Sequence, residues 1–399
     1  MSLVLNTNIN SMVAQNSLTT SGNQLTSALQ QLSTGLRVNT AADDAAGYAI
    51  AQGMTSQVNG LTQAALNANE GVSLTQTASG AMTEITNDLQ TMRDLAVESL
   101  NATNSTNDRA NLNAQYSQLS ADINNVAANT QFNGVNLLDG TFQGADFQIG
   151  ANAGQTISVS SIASNSTSAI GNYYTTAPTT GAYADTTADS GNTASFDITV
   201  GTTAYTTGAV TLTGNQATDL KNITSAINQS LGSSQGIVAT VNAAGTGISL
   251  STAKGAAQNV TVALDASSNT TSSVNGLGLD ATYALGSAGG TAQNLSNTSV
   301  NSVDSSNLVL ISIDNALQQL ATSSAQLGAY QNRFQAAITG LNTDSTNLSS
   351  AKSGIVDTNY AQATSSLSKA QILQQAGTAM VAQANTIPQN ILTLIQKLP

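Results

Sequence analysis

The chain has 399 residues, 21 acids against nine Lys and Arg for a net charge of −12, and neither Cys nor His. That excludes disulfides, thiolate chemistry and imidazole bases or metal ligands, and leaves too few cations for the basic stripe of a nucleic-acid binder. Charged residues are 8 % of the chain against roughly 25 % in soluble domains, so the surface is Ser, Thr, Asn, Gln and Gly and has given up a common defence against self-association.

The N-terminus has no basic region, since the first cation is Arg37, and its apolar stretch is only Leu3-Val4-Leu5. A cleaved secretory signal is not expected, nor is membrane insertion, because no apolar run approaches the roughly 18 residues of a span. Leu18, Gly22, Leu25, Leu29, Leu32 and Leu36 then recur at alternating steps of four and three, a heptad-like seam. Gly35 suits a left-handed helix end. Thr40-Ala41-Ala42-Asp43 reads as a capping box, with Thr40 as N-cap of the next helix. The seam returns at Ala78, Met82, Ile85, Leu89, Met92 and Ala96. After a polar break from Asn101 to Asp108 it runs through Leu112, Tyr116, Leu119, Ile123 and Val126. The spacing predicts long helices packing side by side, within one chain or between chains.

Asn133-Gly134 and Asp139-Gly140 are turn signals, and Phe147, Ile149, Ile157 and Val159 alternate, so a small β region closes this part. The Ser/Thr/Gly/Ala-rich middle predicts strands at Phe196–Val200 and Val210–Leu212. A helix follows from Ala217 to Leu231, then a hairpin of Ile237–Val241 with Ile248–Leu250. Helical texture resumes with Leu310, Ile313, Leu317, Leu320, Ser324, Leu327, Phe334, Ile338, Leu341, Ser345 and Leu348. The fold class expected is α+β, mainly α, with a long helical hairpin, a small β region and an inserted α+β module.

Three motifs carry a family resemblance. Leu32-Ser33-Thr34-Gly35-Leu36-Arg37-Val38-Asn39-Thr40-Ala41-Ala42-Asp43-Asp44-Ala45-Ala46-Gly47 is similar to the N-terminal signature of flagellins. Thr130-Gln131-Phe132-Asn133-Gly134, with Leu137-Leu138-Asp139-Gly140 and Phe147-Gln148-Ile149-Gly150-Ala151-Asn152, resembles their β region. Ala384-Asn385-Thr386-Ile387-Pro388-Gln389-Asn390-Ile391-Leu392 resembles their C-terminal end.

The resemblance implies a structural subunit of the flagellar filament and no enzyme, cofactor or metal. It implies a terminal coiled coil (residues 1–43 and 356–399) lining the filament channel, an inner helical core (44–163 and 297–355) and a surface-exposed outer domain (164–296). Self-assembly contacts would fall at Leu18, Leu25, Leu29, Leu32 and Leu36, and at Leu367, Leu373, Ile387, Ile391 and Leu394. Partners would be further copies of the chain, an export chaperone and the type III export apparatus, and the junction and cap proteins, with an extracellular destination. Leu89, Gln90, Arg93, Asp94 and Leu95 resemble the segment by which many flagellins are sensed by a toll-like receptor of animal hosts. Many receptor-active members have Arg where Thr91 stands and Glu where Gln115 stands.

Two alternatives share part of this pattern: a hook–filament junction protein and a secreted adhesin-like filament subunit. Leu36, Ala42 and Ala45, where junction proteins tend to carry Lys or Pro, favour flagellin. Ser366-Leu367-Ser368-Lys369 matches S-x-x-K, and Lys352-Ser353-Gly354 matches the K-[ST]-G box of penicillin-binding enzymes. Their order is reversed and both fall on the helical C-terminal arm. In so Ser-rich a chain such matches are expected by chance.

Overall fold

The computed structural model describes residues 7–176, 190–231, 236–242, 245, 247–252, 258–264, 281–285 and 291–396, and the side chains of the last helix as far as Thr386. The chain divides into two compact units. One holds Met1–Ala68, Gln148–Thr156 and Ala336–Pro399; the other holds Asn69–Phe147 and Ile157–Gln335.

The first unit is built on α1 (Ile9–Thr34) and α6 (Tyr360–Gln396), with the start of α2 (Ala45–Ser99) and the end of α5 (Val303–Val356). Asn8 caps α1 by accepting the Ser11 N–H, and Gly35 ends it at φ 72°, a conformation open to Gly because it has no Cβ. Thr40 does not cap α2. Asp44 does, accepting the Gly47 N–H at 2.9 Å. Asp43 instead closes the preceding turn, its carboxylate accepting the N–H groups of Asn39 and Thr40 and the Thr40 hydroxyl. Those donors hold its pKa below the usual carboxylate value. The N-cap thus lies four residues beyond the Thr40 position that the capping-box pattern predicts.

In the second unit, the α2 seam from Ala78 to Ala96 is fully buried, as are Tyr116 and Ile123 of α3 (Thr106–Asn129) and Val309, Ile313, Leu320 and Phe334 of α5. Each such aliphatic side chain contributes about 1.5–3 kcal/mol on burial. Ser105 and Asp108 form a capping box on α3. Asn133-Gly134 turns β1 (Gln131–Phe132) into β2 (Val135–Asn136), with φ positive at both residues. That is the signature of a two-residue hairpin turn. The two-stranded sheet of β3 (Gly144–Gln148) and β4 (Thr156–Ser160) follows, with Ile157 and Val159 pointing inward.

The middle of the chain forms β5 (Tyr173–Thr175), β6 (Thr193–Ala194), β7 (Phe196–Val200), β8 (Thr203–Thr206), β9 (Val210–Thr211), α4 (Gln216–Leu231), β10 (Ile237–Val241), β11 (Ile248–Thr252), β12 (Gln258–Leu264), β13 (Ala281–Leu285) and β14 (Thr291–Gln293). Two antiparallel four-stranded sheets result, in the orders β10-β11-β5-β14 and β13-β12-β7-β8. Leu220, Ile223, Ile227 and Leu231 of α4 are buried in a core with Phe196, Ile198, Val262 and Leu250. Asn228 fixes α4 to β10 by exchanging two hydrogen bonds with the Ala239 backbone. The strands that enter and leave this module, β5 and β14, are paired neighbours, Tyr173 opposite Gln293.

Gly71 is required by packing. A Cβ there would lie 2.5 Å from the Phe334 ring, which is fully buried and set edge-on to Phe147 at 5.3 Å. Gly71→Ala gains about 1 kcal/mol in helix propensity, but overpacking costs about 1–3 kcal/mol. Its thermal melt should therefore fall by a few degrees and recover when Phe334→Leu is added. An unchanged or raised Tm in the single variant would contradict the close contact.

Candidate self-assembly site

Helices α1 and α6 run antiparallel. Asn8 donates to the Ala384 carbonyl and Ser11 to Asn385 at one end, and the Thr358 N–H meets the Gly35 carbonyl at the other. Within the chain the α1 seam runs through Ser11, Ala14, Leu18, Ser21, Leu25, Ala28 and Leu32; on α6 it runs through Ala363, Leu367, Ala370, Gly377, Val381 and Ala384. The fully buried members are Ser or Ala, and the leucines Leu18, Leu25, Leu32 and Leu367 are half-buried beside them. Leu36 is half-buried and bridges to Asp357. A Cβ on Gly377 would come within 3.7 Å of the Leu18 Cβ, so the backbones approach closely here.

Leu29 and Leu373 lie outside this intrachain seam, 50 % and 41 % exposed. The α1 heptad is carried instead by Ser21 and Ala28, one residue earlier than the leucine pattern predicts. Ile387, Ile391 and Leu394 are on α6, but their side chains are outside the described residues. What sequence reasoning missed is that small residues, and the polar contacts of Asn8, Ser11 and Asn385, make the seam. The signal was present as a seven-residue spacing of Ala, Gly and Ser.

Away from the seam both helices keep apolar side chains in water: Ile9, Met12 and Val13 on α1, Ile372, Leu373 and Met380 on α6, all exposed. Between them lies a groove of about 560 Å³, lined by Val13, Ala14, Ser17, Leu373, Gly377 and Met380 among others. The polar side chains that line it, Asn10, Ser17, Ser21 and Gln383, are uncharged.

The Leu89–Leu95 stretch lies in the second unit, and its exposure is uneven. Leu89 and Leu95 are buried in the helical core, while Gln90 and Asp94 face solvent. Arg93 is engaged with Asp314 at 2.9 Å, and that carboxylate raises its pKa. The Ser366–Lys369 and Lys352–Gly354 matches fall on α6 and α5, where Ser353 bonds its own helix neighbour Asp357. Among the described residues no group of three or more acids is placed to hold a metal ion, and no helix is long and apolar enough to cross a membrane.

Comparison with known proteins identifies the family of the chain. The family profile for the bacterial flagellin N-terminal helical region matches residues 5–143, and that for the C-terminal helical region matches residues 310–395. The B-type flagellin of Pseudomonas aeruginosa is 33 % identical, with 99 % of this chain and 100 % of the relative aligned. Flagellin B of Vibrio cholerae is 35 % identical over the same shares of both chains. The solved structure of FliC from Burkholderia pseudomallei is 28 % identical, with a TM-score of 0.40, over 66 % of this chain and 99 % of that one. The chain belongs to the bacterial flagellins, the structural subunits that polymerise into the flagellar filament.

Proposed function

We propose that the α1–α6 pair is the polymerisation element of this subunit. The observation that carries this reading is the exposed apolar surface on both helices, with Ile9, Val13, Ile372 and Met380 each about three-fifths exposed. Where such side chains gather along one groove, as Val13, Leu373 and Met380 do, they mark a contact with another molecule. Further copies of the chain supply the matching surface, burying Leu29 and Leu373 along with it. Residues 1–43 and 356–399 then form the terminal domain around the channel, 44–163 with 297–355 the inner shell, and 164–296 the solvent-facing module. The subunit works as a structural element without catalysis. It leaves the cell unfolded through the type III apparatus with a chaperone's help, and adds to the extracellular filament between the junction proteins and the cap. The junction-protein alternative has less behind it, since the relatives at 33–35 % identity are flagellins.

Removal of residues 1–37 or of 356–399 should leave a soluble, folded monomer that no longer polymerises. Sedimentation after seeding checks this, and filaments from either truncated chain would refute the assignment.

The paired ends of the middle module give a second expectation. Because β5 and β14 are hydrogen-bonded neighbours, residues 177–289 can be replaced by a short Gly/Ser turn without moving either strand. Such a chain should still form filaments, visible by electron microscopy. A folded deletion variant that cannot polymerise would show that the module makes essential contacts.

Recognition by the animal toll-like receptor is proposed to be weak. Thr91 is exposed and bonds back to Asn87, so it offers none of the bidentate donors of a guanidinium, and Leu89 and Leu95 are buried. The segment serves as a protofilament contact surface instead. A cell reporter assay should give low activity for the wild type and more for Thr91→Arg; strong wild-type signalling would overturn this.

A further inference from the structure

The small residues of the α1–α6 seam discriminate only weakly between one heptad pairing and the next. They repeat every seven positions at Ser21 and Ala28 on α1, and at Ala363, Ala370, Gly377 and Ala384 on α6. A slide of one heptad, about 10.5 Å along the axis, again leaves small residues at the inward positions of α6, with Ala370 or Ala384 in place of Gly377 against Leu18. Coiled coils usually settle register with flanking charges or a buried polar residue. Among the described residues the one ion pair is Arg93–Asp314, which belongs to the other unit. The register therefore rests on contacts at the two ends of the pair, the hydrogen bonds of Asn8 and Ser11 at one end and, at the other, the corner where α1 ends and α6 begins.

There the chain does something neither corner could do alone. A helix C-terminus leaves carbonyls without donors. Val356 of α5 finds its donors in the backbone N–H groups of Arg37 and Val38, and the carbonyl of Ile355 takes the Arg37 guanidinium. In return the carbonyl of Gly35, just past α1, accepts the Thr358 N–H at 2.9 Å. The last turn of α5 has no basic residue of its own, so Arg37 supplies the cation that favours the negative end of its dipole.

We propose that Arg37 is a positioning residue for assembly, tying the breaks α1–α2 and α5–α6 together at one level so that α1 and α6 leave the corner in a single register. The contacts of Asn8 and Ser11 with Ala384 and Asn385 secure the same register at the far end. This inference rests on the terminal pair being the polymerisation element.

The absence of Cys makes a cross-linking test clean. Leu18→Cys with Gly377→Cys reports the native register, because the expected Cβ separation of 3.7 Å suits a disulfide. Leu18→Cys with Ala370→Cys or with Ala384→Cys reports a slide of one heptad either way. In seeded filaments of the otherwise native chain the 18–377 bridge should dominate. Arg37→Gln, which loses a charged hydrogen bond, should lower the ratio of native to shifted bridges about tenfold, and Arg37→Lys should restore most of it. Should Arg37→Gln fail to polymerise, oxidising the 18–377 pair before seeding should rescue growth by imposing the register covalently. A native bridge as dominant in Arg37→Gln as in its parent, or a growth defect that the disulfide leaves untouched, would overturn the assignment. Polymer yield of the truncated chains separately tests the underlying function, so the two failures are distinguishable.

Discussion

Two helices lying together can each bury one face, and in α1 and α6 the fully buried positions of that face are Ala and Ser, with leucines only half-buried beside them. Small residues let the backbones come close, as Gly377 does against Leu18, but they remove little apolar area from water. At roughly 25 cal/mol per Å² of apolar surface, an alanine seam stabilises much less than a leucine seam of equal length. The larger side chains, Ile9, Met12, Val13, Leu29, Ile372 and Met380, remain exposed. A terminal pair built this way leaves apolar surface uncovered in a single chain, which suits a role in which ordering is coupled to binding. The same choice explains the polar contacts of Asn8, Ser11 and Asn385. Where apolar burial discriminates poorly between arrangements, directional hydrogen bonds have to do so.

Charge is distributed to suit that role. Every Asp and Glu lies between Asp43 and Asp357, and outside that stretch stand only Arg37, Lys369 and Lys397. In a homopolymer each charge is repeated by every subunit, so an acid on the mutual contact surface of the terminal helices would meet copies of itself. In partly dry surroundings that repulsion is poorly screened. On a solvated body it is screened within about 10 Å at 0.1 M salt. Three of these acids are also occupied locally. Asp43, Asp108 and Asp139 accept hydrogen bonds that hold their pKa values down, so each stays ionised as a turn or cap acceptor.

Much of this was legible in the sequence because the helical parts obey a single rule. Ala78 to Ala96 reads as one apolar stripe and is one, since a long helix in a packed core has no alternative face to bury. Asn133-Gly134 was equally readable, because few residues other than Asn and Gly accept positive φ in succession. Within the chain, the α1 seam departs from the leucine pattern at Ser21 and Ala28 for a physical reason. Leucine marks the core only where the core is wide enough for leucine; in a close-packed pair the inward positions go to Ala28 and Ser21, and Leu29 turns outward. The reciprocal capping at Arg37 was invisible for another reason. It joins residues more than 300 positions apart, and no local pattern announces that a loop's N–H groups serve a distant helix end.

The middle module follows a different logic, and its insertion depends on one sheet edge. The pairing of β5 with β14 brings its entry and exit within a strand spacing of one another, and just beyond them Leu295 and Ser296 bond back to Ile170 and Thr167. The loop-closure entropy of everything between is thus met by contacts belonging to the base of the module. Closure entropy grows only slowly with loop length, so the base tolerates a long excursion almost as readily as a short one. Within the excursion, α4 and the two sheets bury their own core around Phe196, Ile198 and Ile223. A closed base and an independent core together would let this region change in length and sequence without moving the helices on either side of it.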